Sequence, residues 1–497
     1  MHRPIFYLRI LALIMIILPF SLTAQKIPRR MTLQETTSLA KERSIQALIV
    51  KQKFRVSYLT YRDFRNGYLP QLSASGLLPD FQRSIELYPN ADGTQSYVPQ
   101  QYVNYIGNLK LNQDIGITGG SIALNSGLQR TDDLSNPVST SYLSTPINIQ
   151  YTQPFFHYNS YKWDRKIKPL QYDQAKRIYL ESIEDINITT TNYFFAVLEA
   201  QVQMKIALTN YHNYDTLYKI TQGRFQLGKI PQNQLLLYEL SLLKAKLSIE
   251  DAQFALSDAE FGLRSFLRLP EKDSLVLLPP MNISYFTVNA LKAIDEALSN
   301  TSPSEDFKIQ LLNADANVNS AKMSGRFDAD LSAVLGYNQS GPYINEAYRN
   351  PKDLERISLQ LNIPILDWGV ARGRIKISEY NRDIVKNQVE QGIIDFKQNI
   401  YRSVMKFNMQ QNQLEIAAKA DTVAKKSYRI TQDRYMIGKI SDFQELYTAQ
   451  TEADNSENAF FSALQSYWQQ YFNIRKSTLY DFQKQENLQF SLEALRP

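Results

Sequence analysis

The stretch that decides the fold is YKITQGRFQLGKI at residues 218–230, because it returns as YRITQDRYMIGKI at residues 428–440. Eight of the thirteen positions are identical, and the offset is 210 residues. A match of this kind indicates an internally duplicated chain. Each helix or strand predicted in one copy should therefore have a counterpart in the other copy.

The repeat extends on both sides of this stretch. The same offset relates Pro154 to Pro364, whereas Leu72 matches Leu331 at an offset of 259, so the first copy carries about 49 extra residues. The predicted organisation is a signal at 1–24, a first copy at 31–270 with an insertion at about 89–131 and a tip near 228, a linker at 271–288, a second copy at 289–480 with a tip near 438, and a tail at 481–497.

The N-terminus has the pattern of a secretory signal. Arg3 and Arg9 flank the start of an apolar run over residues 10–22, which ends just before Ala24. A basic start, a run shorter than the roughly 20 residues of a membrane span and a small residue at the end are typical of a cleavable signal; a single anchoring helix is the alternative. We therefore expect no transmembrane helix in the mature chain.

Composition excludes several classes of protein. The 497-residue chain has no cysteine, which excludes disulfides, thiolate metal sites and a lipid-modified N-terminal cysteine. The net charge of +6 falls to about +4 without Arg3 and Arg9, and this mild charge gives no sign of a nucleic-acid partner. With 31 tyrosines and only 18 glycines, the chain favours long uninterrupted elements and membrane-interface surfaces. Because it lacks an acyl anchor, a place in a membrane requires a closed β-barrel.

Each copy is predicted to contain a long helical hairpin. Residues 160–225 form one helix, which would be on the order of 100 Å long. The return helix carries heptad rows on two faces, which is typical of a helix with neighbours on two sides, as in a closed ring; an isolated coiled-coil spacer or scaffold is the alternative. The rows are Leu235, Leu242, Ile249, Leu256 and Leu263; Tyr238, Ala245, Ala252, Ala259 and Phe266; Leu240, Leu247, Phe254 and Phe261; and, in the second copy, Leu446, Ala453, Phe460, Tyr467 and Ile474.

Strands are predicted where apolar and polar residues alternate. Ile147, Ile149 and Tyr151 alternate with polar residues, and the same pattern returns at residues 357–363. Such segments suit a barrel with lipid outside and water inside, and they also suit a soluble half-buried sheet. Two strands per copy give about four per chain, or six if the insertion contributes strands. The smallest membrane barrels have about eight, so several chains must share one barrel.

The insertion in the first copy is predicted to be a β-hairpin. Residues 104–115 and 121–130 alternate around a turn at Gly119 and Gly120, with Leu109, Leu111, Ile122 and Leu124 on one face. The sequence leaves open whether this hairpin widens the barrel wall, folds over the extracellular mouth or packs elsewhere.

Several motifs resemble those of one family. GYLPQLSASG at 67–76, TQPFF at 152–156 and NIPILDWG at 362–369 look like the strand-entry and strand-exit motifs of TolC-like outer-membrane efflux proteins. RFQLGK at 224–229 and RYMIGK at 434–439 resemble the helix-turn-helix tips of that family. The resemblance covers nearly the whole mature chain, and the order and duplication of the motifs are specific.

The resemblance implies a homotrimer with a twelve-stranded shared barrel in the outer membrane and an α-helical tunnel across the periplasm. It also implies a periplasmic adaptor and an inner-membrane pump as partners. The adaptor would dock at the tips, which here are Leu227, Gly228, Lys229, Ile437, Gly438 and Lys439. The predicted fold class is thus α+β: a shared transmembrane β-barrel with about four strands per protomer, continued by a long α-helical coiled-coil barrel and internally duplicated.

The resemblance also locates a tunnel entrance just after the second tip. The acidic positions of the family fall here on Gln444 and Tyr447, which are not carboxylates, so an acidic ring is in question. Asp442 and Glu445 lie nearby, and Tyr435 and Tyr447 are candidates for an aromatic constriction.

Nothing in the sequence suggests an enzyme. The three histidines, His2, His157 and His212, share no metal-ligand spacing, and no nucleophile motif or phosphate-binding loop is present. We expect no cofactor. The predicted function is a passive exit duct for drug efflux or type I secretion, between which the sequence does not choose; the alternative is a periplasmic adaptor or scaffold without a channel.

Overall fold

The computed structural model describes residues 29–89, 93–135, 137–270, 275–439 and 443–490, and the predicted signal at 1–24 lies outside them. Among the described residues, no helix combines the length and the apolarity needed to cross a membrane. Contacts divide the chain into two compact units, each of which draws on both copies. Unit 1 is 1–48, 186–285 and 410–469, and unit 2 is 49–185, 286–409 and 470–497.

The helices of the two copies correspond in length. The two longest have 67 residues each, and each is followed by a helix of 36 residues. Equal lengths keep the heptad rows of the two copies equivalent. The helices are α1 (Leu33–Arg43), α2 (Ile45–Asn66), α3 (Ser160–Gln226), α4 (Gln232–Leu267), α5 (Ala290–Asn300), α6 (Ser302–Ser324), α7 (Ile344–Ala347), α8 (Val370–Met436) and α9 (Phe443–Thr478).

The helical rows predicted for α4 have two different environments. Tyr238, Ala245 and Ala252 are buried within unit 1. The second row, in contrast, is between 49 and 76% exposed; it consists of Leu240, Leu247, Phe254 and Phe261. Within the part of the chain that the structure describes, one seam of α4 is therefore filled and the other is not.

Unit 2 contains one antiparallel sheet of six strands. Its order is β2-β3-β4-β5-β7-β8, so the strands follow the chain without a crossover. Two small pairs are separate sheets: β9 with β10 in unit 2, and β1 with β6 in unit 1. The strands are β1 (Arg29–Met31), β2 (Gln71–Pro89), β3 (Gln95–Ile115), β4 (Gly120–Asp133), β5 (Ser139–Phe155), β6 (Leu275–Leu277), β7 (Asp328–Gly341), β8 (Lys352–Asn362), β9 (Tyr480–Asp481) and β10 (Glu486–Asn487).

The prediction of about four strands per protomer is corrected to six, the count that includes the insertion, because the inserted hairpin joins the same sheet. β3 and β4 lie between β2 and β5, and the hairpin turn falls at residues 116–119, next to the predicted glycines. The physical reason is the alternation of apolar and polar residues in β3 and β4, which places their apolar residues opposite the apolar residues of β2 and β5. The inserted strands can therefore satisfy the backbone groups of both neighbours and keep apolar side chains on one side.

Cross-strand register separates an apolar face from a polar face. On the first, Leu72 pairs with Leu111, Leu111 with Leu124, and Leu124 with Ile149, which pairs with Leu335. The next row on the other face is Ser73, Lys110, Asn125 and Asn148, in which Asn125 Nδ2 donates to Asn148 Oδ1 at 2.9 Å. The apolar side chains are exposed, so none of the residues that the structure describes covers that face.

A buried ionic cluster joins the end of α9 to α3 within unit 2. Arg475 Nη2 lies 3.1 Å from Glu184 Oε1, and Arg475 Nη1 lies 3.1 Å from Asp481 Oδ2. The Tyr471 hydroxyl donates to the Asp481 carboxylate and accepts from Arg475. Both carboxylates are buried, so the guanidinium is the group that offsets their desolvation.

We expect Arg475→Leu to lower the free energy of unfolding by about 3 to 5 kcal/mol, because it removes a guanidinium that pairs with two buried carboxylates. Chemical unfolding of the detergent-solubilised protein, followed by helical circular dichroism, measures this. The control is Lys484→Leu, which breaks an exposed pair with Glu486 and should change the free energy by less than about 0.5 kcal/mol. Equal losses from both substitutions would contradict the assignment.

Candidate functional site

The two tips of the helical hairpins have the same backbone geometry. Gly228 and Gly438 have φ of +66° and +77°. At the first tip, Lys229 N–H donates to Arg224 O at 2.9 Å and Gly228 N–H donates to Phe225 O at 2.8 Å; at the second, the corresponding bonds from Lys439 and Gly438 are 2.9 and 3.0 Å. This is the Schellman motif, in which glycine supplies the left-handed conformation and the last carbonyls of the helix are satisfied.

All six predicted tip residues lie on these turns and are exposed. The apolar residues before the glycines, Leu227 and Ile437, are 71 and 67% exposed. A large apolar side chain at the apex of a turn makes no contribution to the core below it. The tips therefore present an apolar residue, a glycine and a lysine to their surroundings.

Tyr435 belongs to the core beneath the tips. It is 1% exposed and clusters with Tyr214, Leu217, Tyr238, Ala245 and Leu446. Its ring centroid lies 6.1 Å from that of Tyr238, and the Arg224 guanidinium stands 5.4 Å from it on the ring face. A ring enclosed in this way does not line an aqueous path, so Tyr435 is a packing residue of unit 1.

The remaining entrance candidates lie on two different grooves of unit 1, and Asp442 is outside the described residues. Gln444 and Glu445 line a groove of about 690 Å³ between α8 and α9. Glu445 Oε1 is 3.8 Å from Arg434 Nη1, an exposed ion pair that links the two sides of the second tip. Tyr447 lines another groove, of about 680 Å³, between α3, α4 and α9. The sequence analysis treated these residues as one group at the entrance, whereas the structure places them on two grooves.

The second groove contains an acid that the sequence analysis missed. Asp454 Oδ2 accepts a hydrogen bond from Asn210 Nδ2 at 2.7 Å, and burial raises the pKa of this carboxyl above its usual range. One turn away on the same side, Asn458 Oδ1 accepts from Gln203 Nε2 at 2.5 Å. The signal in the sequence is a row with heptad spacing, Tyr447, Asp454, Phe461 and Trp468, in which one acid stands among aromatic residues.

A second group that the sequence analysis missed lies where β5 ends in unit 2. His157 Nε2 is 3.9 Å from Asp328 Oδ1, and His157 Nδ1 is 3.8 Å from Asp330 Oδ1. Phe156, at φ +67°, turns the chain so that His157 meets the start of β7. Among the described residues, these three side chains have ligand atoms close enough together, within 4.8 Å of one another, to hold a metal ion. All three are at least partly exposed.

The family model of outer membrane efflux proteins matches residues 306–478. A curated protein of Haemophilus influenzae, described as uncharacterized, is 22% identical over 364 residues, which cover 69% of this chain and 77% of that protein. The family match lies in the second copy and includes the second tip.

Solved outer-membrane channels have the same fold. The CmeC channel of Campylobacter jejuni superposes with a TM-score of 0.63 at 14% identity, over 90% of this chain and 85% of that chain. VceC of Vibrio cholerae gives 0.60 at 11% identity, over 90 and 95%. The open state of MtrE from Neisseria gonorrhoeae gives 0.60 at 13% identity, over 90 and 88%.

These findings confirm the resemblance to TolC-like outer-membrane efflux proteins that the motifs indicated. The matched family model describes outer membrane efflux proteins, and the superposed structures, which share the fold of this chain, are outer-membrane channels.

We expect Asp454→Asn to raise the melting temperature of the protein at pH 8, with a gain that shrinks towards pH 4. The pKa of Asp454 is higher in the folded protein than in the unfolded chain, so this carboxyl ionises first in the unfolded chain as the pH rises. The wild-type protein therefore loses stability as the pH rises from the unfolded pKa to the folded pKa. Asparagine stays neutral and can still accept from Asn210. Thermal unfolding across this pH range measures the effect.

Asp251→Asn is the matched control, because Asp251 lines the same groove but is exposed. It should change the free energy of unfolding by less than about 0.5 kcal/mol. A pH-independent gain at Asp454, or an equal gain at Asp251, would show that burial of the Asp454 charge is not the cause.

Proposed function

We propose that this protein is a passive exit channel in the outer membrane of the cell, assembled from three copies, with its helical part in the periplasm. The observation that carries the proposal is the sheet of unit 2. Its six strands have one uncovered apolar face and one polar face, which is the arrangement of a membrane barrel wall with lipid on one side and water on the other.

The edges of the sheet support closure by several copies. β2 and β8 are the two edges, and the six strands are antiparallel throughout, so β8 runs opposite to β2. β8 of one copy can therefore continue the antiparallel ladder with β2 of the next. Such a head-to-tail contact closes into a ring when the rotation is right, and a ring leaves no edge in lipid.

The helices of unit 1 support the same assembly. α4 exposes its second heptad row, and α8 exposes Ile416, Val423 and Ile430 at the same spacing of seven residues. Exposed apolar rows on two helices of one chain suit two different neighbours, as in a ring in which α4 of one copy packs against α8 of the next.

Within this proposal the protein works with a periplasmic adaptor and an inner-membrane pump. Transport energy comes from the pump, because the sequence contains no nucleotide-binding motif. The adaptor docks at the exposed apices, where Leu227 and Ile437 supply apolar contact beside Lys229 and Lys439. Drug efflux and type I protein secretion are both compatible with such a duct.

The entrance of the duct is proposed to lie at the second tip. Gln444, Glu445 and Tyr447 are the described candidates, together with Asp442, while Tyr435 is left out because it is buried. The pair between Glu445 and Arg434 is a contact that opening would break, since it links the two arms of this tip.

The alternative from the sequence, a periplasmic adaptor or scaffold without a channel, has no use for the uncovered apolar face of the sheet. Extraction separates the two functions. The channel requires detergent and forms trimers that conduct in planar bilayers. A mature protein that is soluble and monomeric without detergent would exclude the channel.

Two neighbouring residues of β5 test which face meets lipid. Ile149→Lys places a charge on the apolar face and should cost about 2 to 4 kcal/mol near the bilayer midplane, so that little protein inserts. Asn148→Lys places the same charge on the polar face and should insert normally while making the channel less selective for cations. Insertion is measured by resistance to urea extraction from outer membranes. The reverse order of the two variants would overturn the face assignment.

A second pair of variants tests the entrance. We expect Tyr447→Ala to raise single-channel conductance in planar bilayers, because it removes an exposed ring beside the groove between α3, α4 and α9. Phe225→Ala, at the first tip, removes another exposed ring and should leave conductance unchanged. Unchanged conductance in Tyr447→Ala would remove this residue from the constriction.

A further inference from the structure

The hairpin formed by β3 and β4 is fixed in the sheet at both of its sides. On one side β3 pairs with β2 from Asn112 to Gln95, and on the other side β4 pairs with β5 from Ser121 to Asp133, with one register shift on each side. Its turn is held as well, because Asn159 Nδ2 donates to Gly116 O at 3.3 Å and Gln153 Nε2 donates to Thr118 O at 3.1 Å. It is therefore part of the wall and not a loop laid over it.

The faces of the hairpin match those of its neighbours. Leu111 and Leu124 continue the apolar row that runs from Leu72 to Ile149. On the polar face, Asn125 bonds to Asn148 across the boundary between the inserted and the original strands. A hairpin that faced water on both sides would not need this separation of apolar and polar side chains.

We propose that each copy supplies six strands, so that three copies close an eighteen-stranded barrel with a wider outlet than a twelve-stranded one. This inference rests on the trimeric channel proposed above and sets the width of its exit. With strands about 4.8 Å apart and tilted by about 40°, a barrel gains about 1 Å of radius per strand. The backbone radius is then about 18 Å instead of about 12 Å, and the cross-section is roughly doubled.

The repeat defines a variant that restores the narrower wall. Deleting residues 90–138 removes 49 residues, the number by which the first copy exceeds the second, and joins β2 to β5. β5 runs in the same direction as β3, so it can take the place of β3 beside β2. The second copy gives the expected register, because Leu331 pairs with Leu359 there and these residues correspond to Leu72 and Ile149.

Distances between spin labels measure the width, and the absence of native cysteine makes the labelling specific. Ser332→Cys places one label per chain on the polar face of β7. Three-fold-related backbone positions lie about 31 Å apart in an eighteen-stranded barrel and about 21 Å apart in a twelve-stranded one. We expect the longer distance in the full chain and a decrease of about 10 Å in the deletion variant.

The outcomes separate this inference from the proposed function. Three coupled spins at the shorter distance in the full chain would overturn the eighteen-stranded barrel and leave the trimeric channel standing. One spin per particle would overturn the trimer itself. If the deletion variant does not fold, the distance in the full chain still decides.

A disulfide test in the unlabelled protein reports the strand neighbours independently. In the full chain, Leu72→Cys and Ile149→Cys stand three strand spacings apart, about 14 Å, which exceeds the reach of a disulfide. We expect no bond there and a bond in the deletion variant. A bond between these positions in the full chain would show that the hairpin lies outside the wall and would overturn the inference.

Discussion

The unpaired backbone groups at the two edges of the sheet are the constraint on which the rest of the molecule depends. β2 and β8 each present a row of N–H and C=O groups that find no partner strand among the described residues of one chain. In hydrocarbon, each unsatisfied group costs several kcal/mol, and the apolar face between these edges cannot remain in water without cost either. One environment satisfies both the face and the edges: lipid against the face, and further copies of the chain against the edges.

The helices of unit 1 also have an uncovered surface, which consists of apolar side chains. The chain fills one seam of α4 with its own residues, among them Tyr238 and Ala245, and leaves Leu247 and Phe254 on the second seam exposed. A coiled-coil seam stabilises only when its knobs enter holes on a facing helix. The exposed seam and the open sheet edges therefore favour the same solution, a ring of identical chains, although one depends on packing and the other on hydrogen bonds.

The sequence predicted those features whose physical cause is local. The tips were found because a helical reversal needs a left-handed residue, and Gly228 and Gly438 supply it in a repeated stretch. The hairpin β3–β4 was found because alternation has a period of two. The position of this hairpin in the sheet was not predicted. Alternation shows which residues of a strand share a face, but it does not show which strand lies next to it. For this reason the sequence could not decide between about four strands and six.

The entrance residues were harder to predict for a related reason. Spacing along a helix tells which side chains share a row, but the neighbour that each row meets is a tertiary property. Tyr435 therefore turned out to be enclosed by Tyr214 and Tyr238, and Gln444 and Tyr447 turned out to face different grooves. His157 meets Asp328 and Asp330 only because β5 and β7 pair, which no spacing in the sequence reveals.

The duplication explains why the two copies differ in the sheet and not in the hairpins. An insertion within α3 or α8 would shift one heptad row against its neighbours unless it added whole heptads, and the helices of both copies have kept 67 and 36 residues. A sheet accepts an insertion more easily, provided that it adds an even number of strands. Two strands return the chain to the same end of the wall and leave the directions of the edges unchanged, so β8 still runs opposite to β2. The proposed ring can therefore widen by hairpins while its helices keep their register, and the first copy contains one such hairpin that the second lacks.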